Sequence, residues 1–494
     1  MTKYFDLPRV CTLLALLVLA SIFLTLASRS VWLDEAMLLK NIIAIDNPAD
    51  FAAPLPYYDQ AEPVLASVFF KAMTAVFHYD IRALRLSVLG LSLLLVAPVA
   101  LLFRQQRWGL FVFLVALIGN SFSTGFHFTE LKFYFLEMSG SFLAILAIRE
   151  AEEHQDIYWT LLVAALVSLL GFSTLIIAGG LLAYACLWFV TRDDGRQRGY
   201  KIGGFLLASA CVALSYLYMK YLTMYQLGNY NSYAASSHLD ALKDVVRALL
   251  GAYGKALMTV SVVASLALLR YGQRDYLYRV NQFFCALVVV VLVGKVAGFY
   301  PAVYPRHVIW LVPLSLVIST FAIVRFSTSS RLGLKVLGWA LFAVLGLQAA
   351  KACYNNLEGE NYQYTDNNRL YQYISGMPPS DILVHPNAEP SLEYYRLIDP
   401  GLNQQRFITS LDESTHRRDP NQEMVAMAAD VDRLFAERPG DSVYFLTSHL
   451  DLQPGETGVG NLMQRALDRY HCSYTSVLSV TDAELLHLNC RGTP

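Results

Sequence analysis

VCTLLALLVLASIFLTLA, residues 10–27, runs without a single charge into SRSVWLDEA, residues 28–36. At ~1.5 Å of rise per residue the first stretch is long enough to cross a hydrocarbon core of ~30 Å. The second sets two adjacent carboxylates, Asp34 and Glu35, directly after that crossing. They then lie at membrane level on one face of the bilayer, where ionisable groups are costly unless they are paired or functional. The apolar run is too long for a signal peptide and has no small-residue cleavage site, so it reads as an uncleaved span.

The rest of the chain repeats this pattern. Of 494 residues, 55% are hydrophobic and 16% are charged, whereas a soluble domain carries nearer a quarter charged residues. A net charge of −1 provides no basic field for nucleic acid. About eleven apolar runs stand out, at roughly 10–28, 84–103, 108–122, 132–149, 159–171, 173–191, 202–221, 256–270, 282–298, 307–324 and 336–353. Counted from an inward N-terminus, Arg and Lys gather in alternate links, such as Arg104 with Arg107, Arg192 with Lys201, and Arg325 with Lys335. The links at 121–131, 171–173 and 299–306 are nearly free of them, which is the positive-inside asymmetry. Asp34 and Glu35 therefore face outward, together with everything after about Tyr354.

The predicted fold is a polytopic α-helical membrane protein of about eleven spans with a C-terminal extracytoplasmic α/β domain. Its expected divisions are a membrane domain over 1–353, with a first outer loop at 29–83, and a soluble domain over 354–494. Within the loop, helical spacing around Glu35–Ile45 and Pro63–Phe77 predicts helices lying in the membrane interface. A second outer link over 222–255 has the composition of a loop that orders on a ligand. In the C-terminal part, Asp381–His385 and Ser442–Thr447 read as buried strands, and Ser473–Val480 with Glu484–Cys490 reads as a hairpin. Val425–Glu437 and Leu462–Tyr470 read as helices there. Cys472 and Cys490 can pair if that domain lies outside the cytoplasm.

Three groups of polar residues fall in the outer links. Asp34 and Glu35 suit a general base as well as they suit the N-terminal turn of a helix. His127, Glu130, Lys132, Tyr134 and Glu137 form the second group, with Glu130, Tyr134 and Glu137 at i, i+4, i+7 and so on one face if the segment is helical. The third group is Tyr304, Arg306 and His307 in a proline-punctuated link, with Lys295 inside the preceding span. There an arginine suits either a phosphate or an interfacial anchor. Arg82 and Arg85 at the start of the second span read as interface anchors, with phosphate binding as the lesser alternative. Carboxylates and cations on one face fit transfer from a lipid phosphate: the cations hold the leaving phosphate and a carboxylate takes the acceptor's proton. The rival reading is a transporter or flippase of lipid-linked sugars. It expects charges spread through the bilayer thickness, whereas the spans are nearly charge-free apart from Lys295.

At these residues the sequence resembles a known family. Trp32-Leu33-Asp34-Glu35-Ala36 is similar to the acidic first-loop motif of GT-C glycosyltransferases, in the branch of protein mannosyltransferases and aminoarabinose transferases. Glu62-Pro63-Val64-Leu65 after Asp59, Arg85-Leu86-Ser87, Glu130-Leu131-Lys132-Phe133-Tyr134 and Tyr304-Pro305-Arg306-His307 agree with it in order. The resemblance covers about 1–350. It implies an inverting, multi-pass enzyme of the bacterial inner membrane with its site and C-terminal domain on the periplasmic side. The implied donor is a polyprenyl-phosphate-linked sugar, and the acceptor is a lipid, an envelope glycan or a protein. Asp34 then maps to the general base, with Glu35 and Glu130 as further catalytic acids. Lys132 and Arg306 map to the lipid-phosphate contacts; Lys295 and Tyr304 are added candidates for the donor phosphate, and Asp59, Glu62, Tyr134 and His307 for the acceptor and donor loop. Some relatives bind a divalent metal, for which Asp34, Glu130 and His127 are the available ligands. Two departures stand out: the first loop has one proline where a proline-rich stretch is usual, and the C-terminal domain has no Trp-Trp-Asp motif.

Overall fold

The structure, a computed structural model, describes residues 6–58, 60–103, 106–192, 198–224, 237–272, 275–358, 365–385, 387–409, 433, 442–448 and 472–490. The chain packs as two compact units, one of residues 1–27 with 62–362 and one of 28–61 with 363–494. These groupings differ from the division expected at 353/354, because the first-loop segment packs with the C-terminal part.

The first unit is a bundle of apolar helices. In order they are α1 Leu7–Ala27, then after the excursion into the other unit α3 Val64–Phe77, α4 Ile81–Val96, α5 Gly109–Gly119, α6 Ser121–Phe128 and α7 Tyr134–His154. There follow α8 Tyr158–Val167, α9 Thr174–Arg192, α10 Arg198–Leu222, α11 His238–Tyr271, α12 Tyr276–Val296, α13 Val312–Ser327 and α14 Leu332–Glu358. Each of the eleven apolar runs is helical. Among the described residues, eight helices are long and apolar enough to cross a membrane, or nine if the bent pair α5–α6 is one span. The shortfall from eleven has local causes. Tyr158–Val167 is only ten residues long, and α7 carries charged residues at both of its ends. The run at 108–122 breaks at Asn120, where α6 leaves α5 at 90°.

Asn120 also explains how that break is tolerated. Its Nδ2 donates to Thr124 Oγ1 (2.6 Å) and to the Ala252 carbonyl (3.2 Å). The latter lies in α11 just before Gly254, which has φ +67° and kinks the helix. Only glycine adopts that conformation cheaply, and a kink strands nearby carbonyls that need a donor. The helix begins at His238, so residues 238–253, expected as part of a loop, are helical up to the kink at Gly254. Lys243, Asp244 and Arg247 lower the hydropathy there, while Ala241, Val245, Ala248 and Leu249 line a buried stripe.

The second unit combines α2 Leu33–Ile43 with α15 Asn367–Ser375, α16 Glu389–Ile398 and a five-stranded sheet. The strands are β1 Asp381–Val384, β2 Arg406–Thr409, β3 Ser442–Ser448, β4 Cys472–Val480 and β5 Ala483–Cys490, in the order β2-β1-β3-β5-β4. β1 runs parallel to β2 and β3, while β5 is antiparallel to β3 and β4. The expected strands and hairpin form, and the hairpin register sets Cys472 opposite Cys490. β2, α15 and α16 are additional elements. The helices expected at 425–437 and 462–470 fall almost wholly outside the described residues. The first-loop segment is fastened in this unit by Asn367 Nδ2 and Thr365 Oγ1, which both donate to the Val31 carbonyl (3.0 and 3.3 Å). Lys40 adds an ion pair to Glu393 at 2.6 Å. The chain is thus a polytopic helical membrane protein with a C-terminal α/β domain.

Candidate active site

In the bundle, three carboxylates and a lysine gather around the turn between α6 and α7. α6 ends at Phe128, where the Thr129 hydroxyl bonds back to the helix, donating to the Gly125 and Phe126 carbonyls (3.1 Å each). The chain then turns through Glu130, Leu131 and Lys132 and enters α7 at Tyr134. Glu130 is therefore in the turn and not on the α7 face expected from its spacing to Tyr134 and Glu137. The turn nevertheless keeps it near them. Glu130 is fully buried, and its Oε2 lies 2.6 Å from Nδ1 of His127, at the end of α6. The Tyr134 ring meets the His127 ring edge-on at 5.1 Å.

Glu62, just before α3, completes the group. It is buried, and neither carboxylate oxygen has a hydrogen-bond partner among the described residues. Burial pushes its carboxyl well above the usual range; Lys132 offsets this in part, while Glu130 and Glu137 reinforce it. Glu137 sits against the backbone at Gly171, where a Cβ would come within 2.5 Å of its Cγ. Its Oε1 accepts from the Ser173 amide at 2.7 Å. Lys132 is buried too, and its charge acts on Glu62, so a lysine shares this site of low dielectric with the carboxylates.

Glu62 gives the first prediction. Its carboxyl titrates near 4.5 when unfolded and higher when folded. Between those values the folded state binds more protons, so stability falls as pH rises through the window. Glu62→Gln keeps the shape and removes the titration. Thermal unfolding between pH 4 and pH 8 should show a shallower fall in the variant, by at most about 1.4 kcal/mol per pH unit. Equal slopes would contradict the burial argument.

The third polar group is built differently. Lys295, buried at the end of α12, pairs with Asp244 of α11 at 3.1 Å. This places the lysine expected at a donor phosphate in an ion pair between helices. Arg306 stacks over the half-exposed Tyr304 ring at 5.1 Å. Burial, with the Arg306 charge beside it, pulls His307 down to about 3, so the ring is neutral. Its Nδ1 accepts from the Val303 and Tyr304 amides (3.4 Å each). Tyr300, whose hydroxyl donates to the His307 carbonyl and lies 3.1 Å from Ser173 Oγ, ties this loop to the segment that holds Glu137. Neither Tyr300 nor Ser173 was legible as a site residue: one sits in a proline-rich link and the other in the six-residue link 168–173 between α8 and α9.

The first-loop acids belong to the second unit. Asp34 is half-buried in the first turn of α2, which suits a carboxylate but provides no side-chain cap. Glu35 is fully buried and accepts from Arg29 Nη2 at 3.1 Å. The catalytic reading of Glu35 thus meets a structural partner that the sequence did not suggest. Arg85 corrects a second expectation. It is not an exposed anchor but is fully buried in the bundle, donating to the Ala27 carbonyl at the end of α1 (3.2 Å). Asp59 lies outside the described residues. As for a metal, His127 and Glu130 bring two donors together, but among the described residues no three His, Cys, Asp or Glu side chains form a set that could hold one.

No family model matches the chain, and no curated protein does. Among solved structures it is similar to ArnT from Cupriavidus metallidurans in the apo state, with a TM-score of 0.55 and 14% identity over 97% of each chain. At that identity the similarity concerns the fold, and it extends over the bundle and the C-terminal domain alike.

Proposed function

We propose that the chain is an integral-membrane glycosyltransferase of GT-C type that moves a sugar from a polyprenyl-phosphate-linked donor to an acceptor outside the cytoplasm. The observation that supports this most is the buried group Glu62, Glu130, His127 and Lys132, set on a fold shared with ArnT. A bundle that only anchors a domain has no use for a carboxyl group buried, among the described residues, without a hydrogen-bond partner, which costs several kcal/mol to keep.

In the proposed reaction an acceptor hydroxyl attacks the anomeric carbon from the face opposite the phosphate. The new C–O bond forms as the bond from carbon to phosphate oxygen breaks, and the phosphate leaves with the electron pair. Asp34 takes the hydroxyl proton, a role it holds through the sequence resemblance. The developing positive charge on the sugar ring suits buried carboxylates, with Glu130 oriented by His127. Lys132 and Arg306 are the proposed phosphate contacts, since a cation next to the leaving oxygen lowers the cost of its charge. The test is incubation of the reconstituted full chain with labelled polyprenyl-phosphate sugars and a membrane extract. Label appearing on an acceptor, with free polyprenyl phosphate, supports the reading. No donor consumption with any sugar tried, by a protein that is folded, overturns it.

A further inference from the structure

A cavity opens at the other end of the bundle from the Glu130 turn. Glu137 and Glu153 both lie on α7, and Glu153 is about 24 Å further along it. There a cavity of 1220 Å³ lies between the ends of several helices, with Glu153 on its wall. Its lining separates into two chemistries. One wall is aromatic: Trp108 meets Phe111 edge-on (5.8 Å), Phe111 meets Phe342 (6.2 Å), and Phe342 meets Trp339 (6.1 Å). Trp339 is 56% exposed, so this wall continues to the lipid-facing surface. The other side is charged. Arg149 Nε pairs with Glu153 at 2.9 Å and Arg325 with Asp275 at 2.6 Å. Arg107 is a third, exposed cation, with no carboxylate paired to it among the described residues. The lining therefore carries three arginines against two acids. Gln106 adds a buried Oε1 with no hydrogen-bond donor among the described residues.

A cation-rich pocket, an acceptor needing a donor and an apolar track open to the bilayer are complementary to one chemical class. We propose that this cavity binds an anionic phospholipid from the leaflet that faces it. The phosphate sits on Arg107 and Arg149, a headgroup hydroxyl donates to Gln106 Oε1, and an acyl chain lies along the Trp108–Trp339 wall. The Arg149–Glu153 pair does not obstruct this, because it is partly exposed and worth little. The site is independent of the reading of the Glu130 end and stands or falls without it.

Native mass spectrometry of the purified full chain, incubated with mixed micelles of phosphatidylglycerol or phosphatidylcholine, tests the proposal. Phosphatidylglycerol should be retained at one copy per chain, and Arg107→Glu should weaken retention about tenfold. Trp339→Ala should weaken it too, and 10 mM inorganic phosphate should not displace it, since the chain holds the lipid as well as the headgroup. Equal retention of phosphatidylcholine, or retention indifferent to Arg107→Glu in a protein of unchanged melting temperature, would mean the cavity is filled by bulk lipid and would overturn the assignment. Displacement by inorganic phosphate alone would overturn it as well, in favour of an ion site.

Discussion

Asp34→Asn should lower sugar transfer by about 10²–10⁴-fold, the range that a positioned general base contributes. The side chain is half-buried in the first turn of α2, and the amide has nearly the carboxylate's shape. The variant should therefore fold, losing at most about 1 kcal/mol of helix-dipole interaction. Donor binding should change little, so the loss falls on kcat and not on KM. Asp34→Glu should recover part of the rate, because it restores a base at a displaced position. Turnover within twofold of the parent for Asp34→Asn would show that the acceptor proton goes elsewhere, and the base assignment would have to be abandoned.

The second large effect concerns Glu35, the neighbour that the sequence treats as equivalent. Its carboxylate and the Arg29 guanidinium are both almost fully inaccessible. Removing one partner leaves the other's charge buried without its ion pair, at a cost of about 3–5 kcal/mol. Arg29→Met should therefore destabilise the unit that contains α2, seen as faster amide exchange over Leu33–Ile43. Arg29→Met combined with Glu35→Leu should recover much of the loss, since no charge then remains buried. A residue kept for chemistry alone would behave otherwise: Arg29→Met would leave exchange unchanged while activity fell. Two adjacent acids thus separate into different roles by their surroundings, one partly open and one sealed by an arginine.

That separation shows what could be read from the chain and what could not. Hydropathy located each membrane helix because burial in lipid requires long apolar runs, and the alternation of Arg and Lys is written in the links themselves. The strands Asp381–Val384 and Ser442–Ser448 were legible as short β-branched and aromatic runs. The arginine partners were not. Arg29 and Arg85 stand at span ends, where snorkelling is the common outcome. Nothing local says that Arg85 caps the end of α1 and that Arg29 neutralises Glu35. Glu130 illustrates a different limit. Its spacing to Tyr134 fits a helix, yet the Thr129 hydroxyl bonds back to α6 and ends it, placing Glu130 in the turn. The break at Asn120 needed the kink at Gly254 beside it, 134 residues away in sequence, and a pairing that distant leaves no periodic trace. Glu62 was picked out by its neighbours Pro63 and Val64, but its burial beside Lys132 comes from packing alone.

The decisive measurement is the fate of a labelled polyprenyl-phosphate sugar given to vesicles containing the full chain, its Glu130→Gln variant and its Asp34→Asn variant. With the parent protein, label should leave the lipid for an acceptor and free polyprenyl phosphate should accumulate, and both should stop in each variant. Label that stays on its lipid, merely changes leaflet, and does so equally in all three proteins would identify a transporter and contradict the enzyme reading.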